Sequence, residues 1–105
     1  MTETELMRQI QLEASRQGAR LFRNNCGMCI TVDNRRIRFG VGGPGGSDLI
    51  GWSGGAIFIA IEVKSERGRV RPEQKAFIDA VRAAGGRAGI ARSVDEAIQI
   101  IKGGV

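Results

Sequence analysis

The chain has 105 residues, 42 % hydrophobic and 26 % charged, enough for a single domain, residues 1–105, with a modest core. This balance excludes a disordered tail, no apolar run approaches the ~20 residues of a membrane span, and the polar start Met1-Thr2-Glu3-Thr4-Glu5 is not a signal peptide, so no membrane partner and a cytoplasmic location are expected. Sixteen Lys and Arg against eleven Asp and Glu give a net charge of +5, and thirteen of those cations are arginines, whose guanidinium fork pairs two phosphate oxygens at once.

Residues 4–17 have helical periodicity. Turning ~100° per residue from Leu6 brings Ile10, Glu13 and Gln17 to within about 40° of it, so Glu13 is expected on the inward stripe. Gly18 follows as a C-cap. Residues 19–24 and 35–39 read as short strands, the second entered through a turn at Asp33-Asn34. The glycine-rich stretch 40–46 (GVGGPGG) lacks the Gly-Lys-Ser/Thr ending of a nucleotide-binding loop and is expected to be a flexible connection. Segments 47–52 and 56–64 form a β-hairpin around Ser53-Gly54-Gly55. In the second of these, Ile57, Ile59, Ile61 and Val63 line one face, and Phe58, Ala60, Glu62 and Lys64 the other. A strand apolar on both faces for most of its length belongs in the middle of its sheet. After a basic loop (65–71), Pro72 opens a helix to about residue 84, stopped by Gly85-Gly86, with Phe77, Ile78, Val81 and Gln74 on one side. Residues 88–91 make a strand, and Ser93 with Glu96 caps a last helix to about Lys102. The fold class is α/β, one mixed sheet flanked by helices.

Histidine is absent, which removes Ser-His-Asp and Cys-His catalysis and every His-based metal site. Acid–base chemistry must then come from carboxylates, Lys, Cys or water on a metal. The candidate constellation is Asp48 with Glu62-Val63-Lys64. A hairpin centred on Gly54 sets Asp48 diagonal to Glu62, and one centred on Gly55 sets them face to face. A two-residue Gly54-Gly55 turn would put Asp48 on the wrong side unless a bulge intervened. In the first two registers the Cβ atoms lie about 5–8 Å apart, close enough to hold one hard cation. Mg²⁺ or Mn²⁺ relieves the repulsion of two carboxylates, and Lys64 is placed to neutralise charge developing on phosphate.

The segments Gly46-Ser47-Asp48-Leu49-Ile50-Gly51, Ile61-Glu62-Val63-Lys64-Ser65 and Arg71-Pro72-Glu73-Gln74-Lys75-Ala76-Phe77 resemble the VRR-NUC family of the PD-(D/E)XK nuclease superfamily. Leu12-Glu13 and the stretch from Arg20 to Asn25 extend the resemblance over nearly the whole chain, with Ser47-Asp48 replacing the superfamily's Pro-Asp. The resemblance implies a restriction-endonuclease-like core in the order α-β-β-β-α-β-α and metal-dependent endonucleolytic cleavage of DNA. Under it, Glu13, Asp48, Glu62 and the Val63 carbonyl are metal ligands, Lys64 is the catalytic lysine and Gln74 supports the site. Small stand-alone members resemble phage-type homodimers that act like Holliday-junction resolvases on branched DNA, which would set the protein in the cytoplasm of a bacterium or a phage-infected host cell.

Ser65, Arg67, Arg69 and Arg71 are expected to contact DNA phosphates, since they follow the site directly. One Cys-x-x-Cys pair, Cys26 and Cys29, cannot complete a four-ligand zinc site, so both read as reduced thiols. Trp52 and the phenylalanines at 22, 39, 58 and 77 are expected in the core rather than as stacking platforms. A basic nucleic-acid-binding protein without catalysis is the competing class, and divalent-metal binding separates the two.

Overall fold

Alternation of branched apolar residues along Ile57–Val63 produces the strand on which the rest of the chain is laid. The computed structural model describes residues 1–104. In chain order the elements are helix α1 (Glu3–Arg16), strands β1 (Arg20–Arg23), β2 (Gly27–Ile30), β3 (Arg36–Phe39), β4 (Leu49–Ser53) and β5 (Ile57–Val63), helix α2 (Pro72–Ala83), strand β6 (Arg87–Ala91) and helix α3 (Val94–Ile101). A four-stranded sheet in the order β1-β4-β5-β6 is antiparallel except for the parallel β5–β6 pair. Taken with the helices, this sheet gives the expected order α-β-β-β-α-β-α.

Between β1 and β4 the chain makes a separate two-stranded ribbon, β2–β3. The expected strand at 35–39 is therefore present, but it pairs with a segment that sequence periodicity did not single out and stays outside the main sheet. Cys-Gly-Met-Cys-Ile has no alternation of apolar and polar residues, because no face of the ribbon is buried in either core cluster.

The two faces of the main sheet are covered unequally. On one, Leu21, Leu49, Ile59, Ile61, Val63 and Ala91 pack against Leu6, Met7, Ile10 and Ala14 of α1 and Ala97, Ile100 and Ile101 of α3. On the other, α2 lays Ile78 over Ala60 and Ala88, with Ile50, Phe77, Val81 and Ile90 at the margin. One helix cannot cover four strands. Phe22, Trp52 and Phe58, which share this second face, remain exposed, with Trp52 48 % accessible and the Phe22 and Trp52 rings 5.4 Å apart. Phe39, on the ribbon, is exposed as well. Of the five aromatics expected in the core, only Phe77 joins its edge.

Candidate nuclease site

The register of the β4–β5 hairpin decides whether a site exists. Leu49 pairs with Ile61 and Gly51 with Ile59, so the hairpin is centred on Gly55. One turn of 3₁₀ helix, Gly54–Ala56, with Gly55 at φ 79°, supplies the odd-length connection that this register requires. Continuing the pairing by one residue sets Asp48 against Glu62 on the face that α2 covers. Of the three registers open to the sequence, this is the face-to-face one.

Each member of the pair is held by a different element. Asp48 Oδ2 accepts the backbone N–H of Val63 at 2.9 Å, which ties the first carboxylate to the end of β5. Glu62 is only 3 % exposed. Its Oε2 accepts from Gln74 Nε2 at 2.9 Å and lies 3.4 Å from Lys64 Nζ. Gln74 spans helix and strand, because its Oε1 accepts the Arg71 N–H at 2.9 Å, one of the free donors at the start of α2. Lys64 is fixed along the chain by its own N–H, donated to the Ala91 carbonyl of β6 at 3.0 Å.

Glu62 is electrostatically incomplete. Its Oε1 is buried with no hydrogen-bond partner. Burial and the nearby Asp48 push its carboxyl up from 4.5 to about 7, and Lys64 offsets only part of this. Two facing carboxylates, one with an orphaned buried oxygen, form an all-oxygen donor set that suits a hard divalent cation. Asp48, Glu62 and the backbone at Val63 would hold it.

The structure does not bring Glu13 to this pair. Its carboxylate takes the Arg16 guanidinium at 2.9 Å, and no group of three metal-ligating side chains occurs among the described residues. The buried stripe of α1 runs through Leu6, Met7, Ile10 and Ala14, which puts Glu13 about 75° from its centre. Helix α1 also packs on the opposite face of the sheet from Glu62. Its N-terminal end is the end beside the site, where Glu3 Oε2 accepts the Ser65 N–H at 3.0 Å.

In front of the carboxylates opens a cavity of about 280 Å³. Its walls come from the start of α2 (Arg71, Gln74), the glycine stretch (Gly43, Gly45, Gly46) and the β2–β3 ribbon (Met28, Arg38). The stretch 40–46, expected as a connection, also forms part of the cavity wall. A Cβ on Gly46 would collide with the Val41 carbonyl, and one on Gly45 with the Glu73 carbonyl at the start of α2. Asn24 fastens it: Nδ2 donates to the carbonyls of Val41 (2.8 Å) and Ser47 (3.0 Å), and Oδ1 accepts the Val41 N–H (2.9 Å).

A family model for the VRR-NUC domain matches residues 6–95. The chain belongs to the VRR-NUC family. A solved structure described as a VRR_NUC domain superposes with a TM-score of 0.63 at 16 % identity, covering 95 % of this chain and 94 % of that one, so the two share a fold. No curated protein matches the sequence. The VRR-NUC domain defines a nuclease family, and the fold is consistent with the PD-(D/E)XK type.

Within this VRR-NUC fold, Arg67 and Arg69 are exposed on the loop between β5 and α2, and Arg71 lies at the cavity rim, 3.5 Å from Glu73. Arg92 organises that loop by donating to the carbonyls of Ser65 (2.7 Å) and Gly68 (2.8 Å). Asn24, Arg38 and Arg92 escaped the sequence reading: Asn24 and Arg92 act through long-range hydrogen bonds, and Arg38 reaches the cavity only through the pairing of β2 with β3, none of which local spacing encodes. Cys26 and Cys29 are free thiols. Cys26 lines the cavity, where desolvation, with smaller contributions from Asp48 and Glu62, holds its pKa above the usual 9.0 despite an opposing hydrogen bond with Asn24. No helix among the described residues is long and apolar enough to cross a membrane.

Proposed function

We propose that the protein is a Mg²⁺- or Mn²⁺-dependent endodeoxyribonuclease that hydrolyses phosphodiester bonds in branched DNA as a homodimer. The observation that carries the reading is the Asp48–Glu62 pair, in which Glu62 is buried with an unpartnered Oε1 and lies 3.4 Å from Lys64. When bound, the cation supplies Lewis acidity toward phosphate and makes water more acidic.

The chain's own groups do the rest. The Val63 N–H and the Gln74 amide hold the two carboxylates in one orientation, so no reorganisation is needed when substrate arrives. Lys64 presents its ammonium at the same place, where it stabilises the negative charge that grows on the phosphoryl oxygens as water adds to phosphorus and the sugar oxygen departs. Ser65, Arg67, Arg69 and Arg71 grip neighbouring phosphates, and Gln74 keeps Glu62 in place.

Resolving a four-way junction needs paired incisions, and one copy of this domain offers one site. A two-fold dimer supplies the second and doubles the basic surface. The exposed apolar residues Phe22, Trp52, Ile37 and Phe39 support this reading as area for a second copy to cover. Purified protein incubated with linear, flapped and four-way-branched DNA, with and without Mn²⁺, tests the proposal. The expected result is Mn²⁺-dependent cutting that is fastest on the branched substrates. Metal-independent cutting or none refutes the mechanism, equal rates on all three substrates refute the branched-DNA preference, and an 11 kDa species in sedimentation with and without junction DNA refutes the dimer.

A further inference from the structure

The basic loop accounts for only one side of the cavity. The opposite wall is the β2–β3 ribbon, whose pairing sets Met28 against Arg38 and Ile30 against Arg36. Side chains alternate along a strand, so Arg36 and Arg38 share one ribbon face with Met28 and Ile30, and Ile37 and Phe39 take the other. Met28 and Arg38 line the cavity, which identifies the first face as the one turned toward the carboxylates.

Arg38 shares the cavity with Asp48 and Glu62, yet among the described residues it makes no ion pair with either of them or with any other carboxylate. Its neighbour Arg35 is neutralised locally by Asp33 at 3.0 Å. An arginine that faces a carboxylate pair without engaging it is positioned for an anion from outside the protein. Arg71 approaches the same cavity from α2, and its exposed contact with Glu73 is too weak to withhold it from a phosphate.

We infer that Arg38 is a DNA phosphate contact, and that the β2–β3 ribbon, with Arg36 beside Arg38, forms one jaw of a clamp whose other jaw is Arg71 and the basic loop. This inference rests on the nuclease reading above and gives its substrate a path: the strand passes between Arg38 and Arg71, with the reacting phosphate over Asp48 and Glu62. Because the ribbon enters neither core cluster, Arg38 can be changed without unfolding the domain.

The test is binding of fluorescent duplex and four-way-junction DNA by the full chain in EDTA, over a salt series of about 50 to 200 mM. For Arg38→Ala the expected outcome is weaker binding and a slope of log K against log [salt] shallower by about one, with Arg38→Lys restoring the slope. In Mn²⁺, Arg38→Ala should raise KM for DNA far more than it lowers kcat. An unchanged affinity and salt slope, with circular dichroism showing a folded variant, overturns the inference. So does a change in sedimentation without a change in slope, which would make the Arg36–Arg38 face of the ribbon a contact between protein copies. DNA binding without cleavage by the unmodified protein would defeat the nuclease reading alone, since the salt slope of Arg38→Ala still decides the role of the ribbon.

Discussion

The two faces of strand β5 differ in everything except their backbone. Ile59, Ile61 and Val63 are fully buried between the sheet and two helices. One residue out of phase, Ala60 is sealed by α2, Glu62 is buried with an unpartnered oxygen and Phe58 is exposed. The first face supplies apolar burial without polar cost. The second spends part of that stability on a desolvated carboxylate. Placing both on one strand lets the rigid side fix the reactive side to within the tolerance that catalysis demands.

The contrast is broken most sharply by substitutions on the second face that leave the first intact. Asp48→Asn, Glu62→Gln and Lys64→Ala should each lower cleavage by about 10³-fold or more, as expected for loss of a preorganised charge, with the far-UV spectrum unchanged. A Lys64→Ala protein with near-normal turnover would refute the assigned role. Ile61→Ala, one residue from Glu62, should do the opposite. It should cost about 2–5 kcal/mol in denaturant unfolding and leave the activity of the molecules that remain folded close to normal.

A smaller effect follows from Glu62 itself. Its folded pKa of about 7 lies above its ordinary 4.5, so the metal-free folded state holds this proton more tightly than the unfolded chain does. That contribution to stability is present in full below about pH 4.5 and is lost as the pH rises through about 7, a change of order 3 kcal/mol. Glu62→Gln should flatten this dependence and make the metal-free protein more stable than the parent at pH 8. Added Mn²⁺ should stabilise the parent and not the variant, and at pH 6 its binding should release a proton measurable by calorimetry in two buffers. The least effect is expected of Glu13→Gln. Its carboxylate sits behind the sheet in a partly exposed pair with Arg16, and its loss should move stability by about 0.5 kcal/mol or less and leave Mn²⁺ affinity unchanged.

The main sheet and all three helices were legible because each is written in short-range periodicity: period two along 57–63, and helical stripes, with Pro72 opening α2 and Ser93 capping α3. The same period put Glu62 and Lys64 on one face, whereas the place of Asp48 depended on a hairpin register that only the turn at Gly55 decides. Gln74 was legible through periodicity, since it falls on the inward stripe of α2. Glu13 misled because a stripe drawn from Leu6 and Ile10 alone omits Met7 and Ala14, which rotate the buried face away from it. The aromatics misled because residue type predicts burial only when a layer is available to cover them, and α2 is too narrow. The ribbon and the glycine wall were hidden for a third reason. Their order comes from Asn24, from β2–β3 pairing and from backbone contacts across the cavity, none of which leaves a periodic trace.

The Arg92 contacts have a thermodynamic consequence. Two strong hydrogen bonds from one guanidinium close the chain between Ser65 and Gly68 into a small ring, reinforced by the turn in which the Gly68 N–H reaches the Ser65 carbonyl at 3.1 Å. The backbone beneath Arg67 is thus ordered when the protein folds and not when DNA arrives. Affinity gained there is not taxed by the 1–2 kcal/mol per residue that ordering a free loop would cost, at about 25 °C. Loosening that ring from a distance, through Arg92, would weaken DNA binding entropically without removing a single charge from the loop itself.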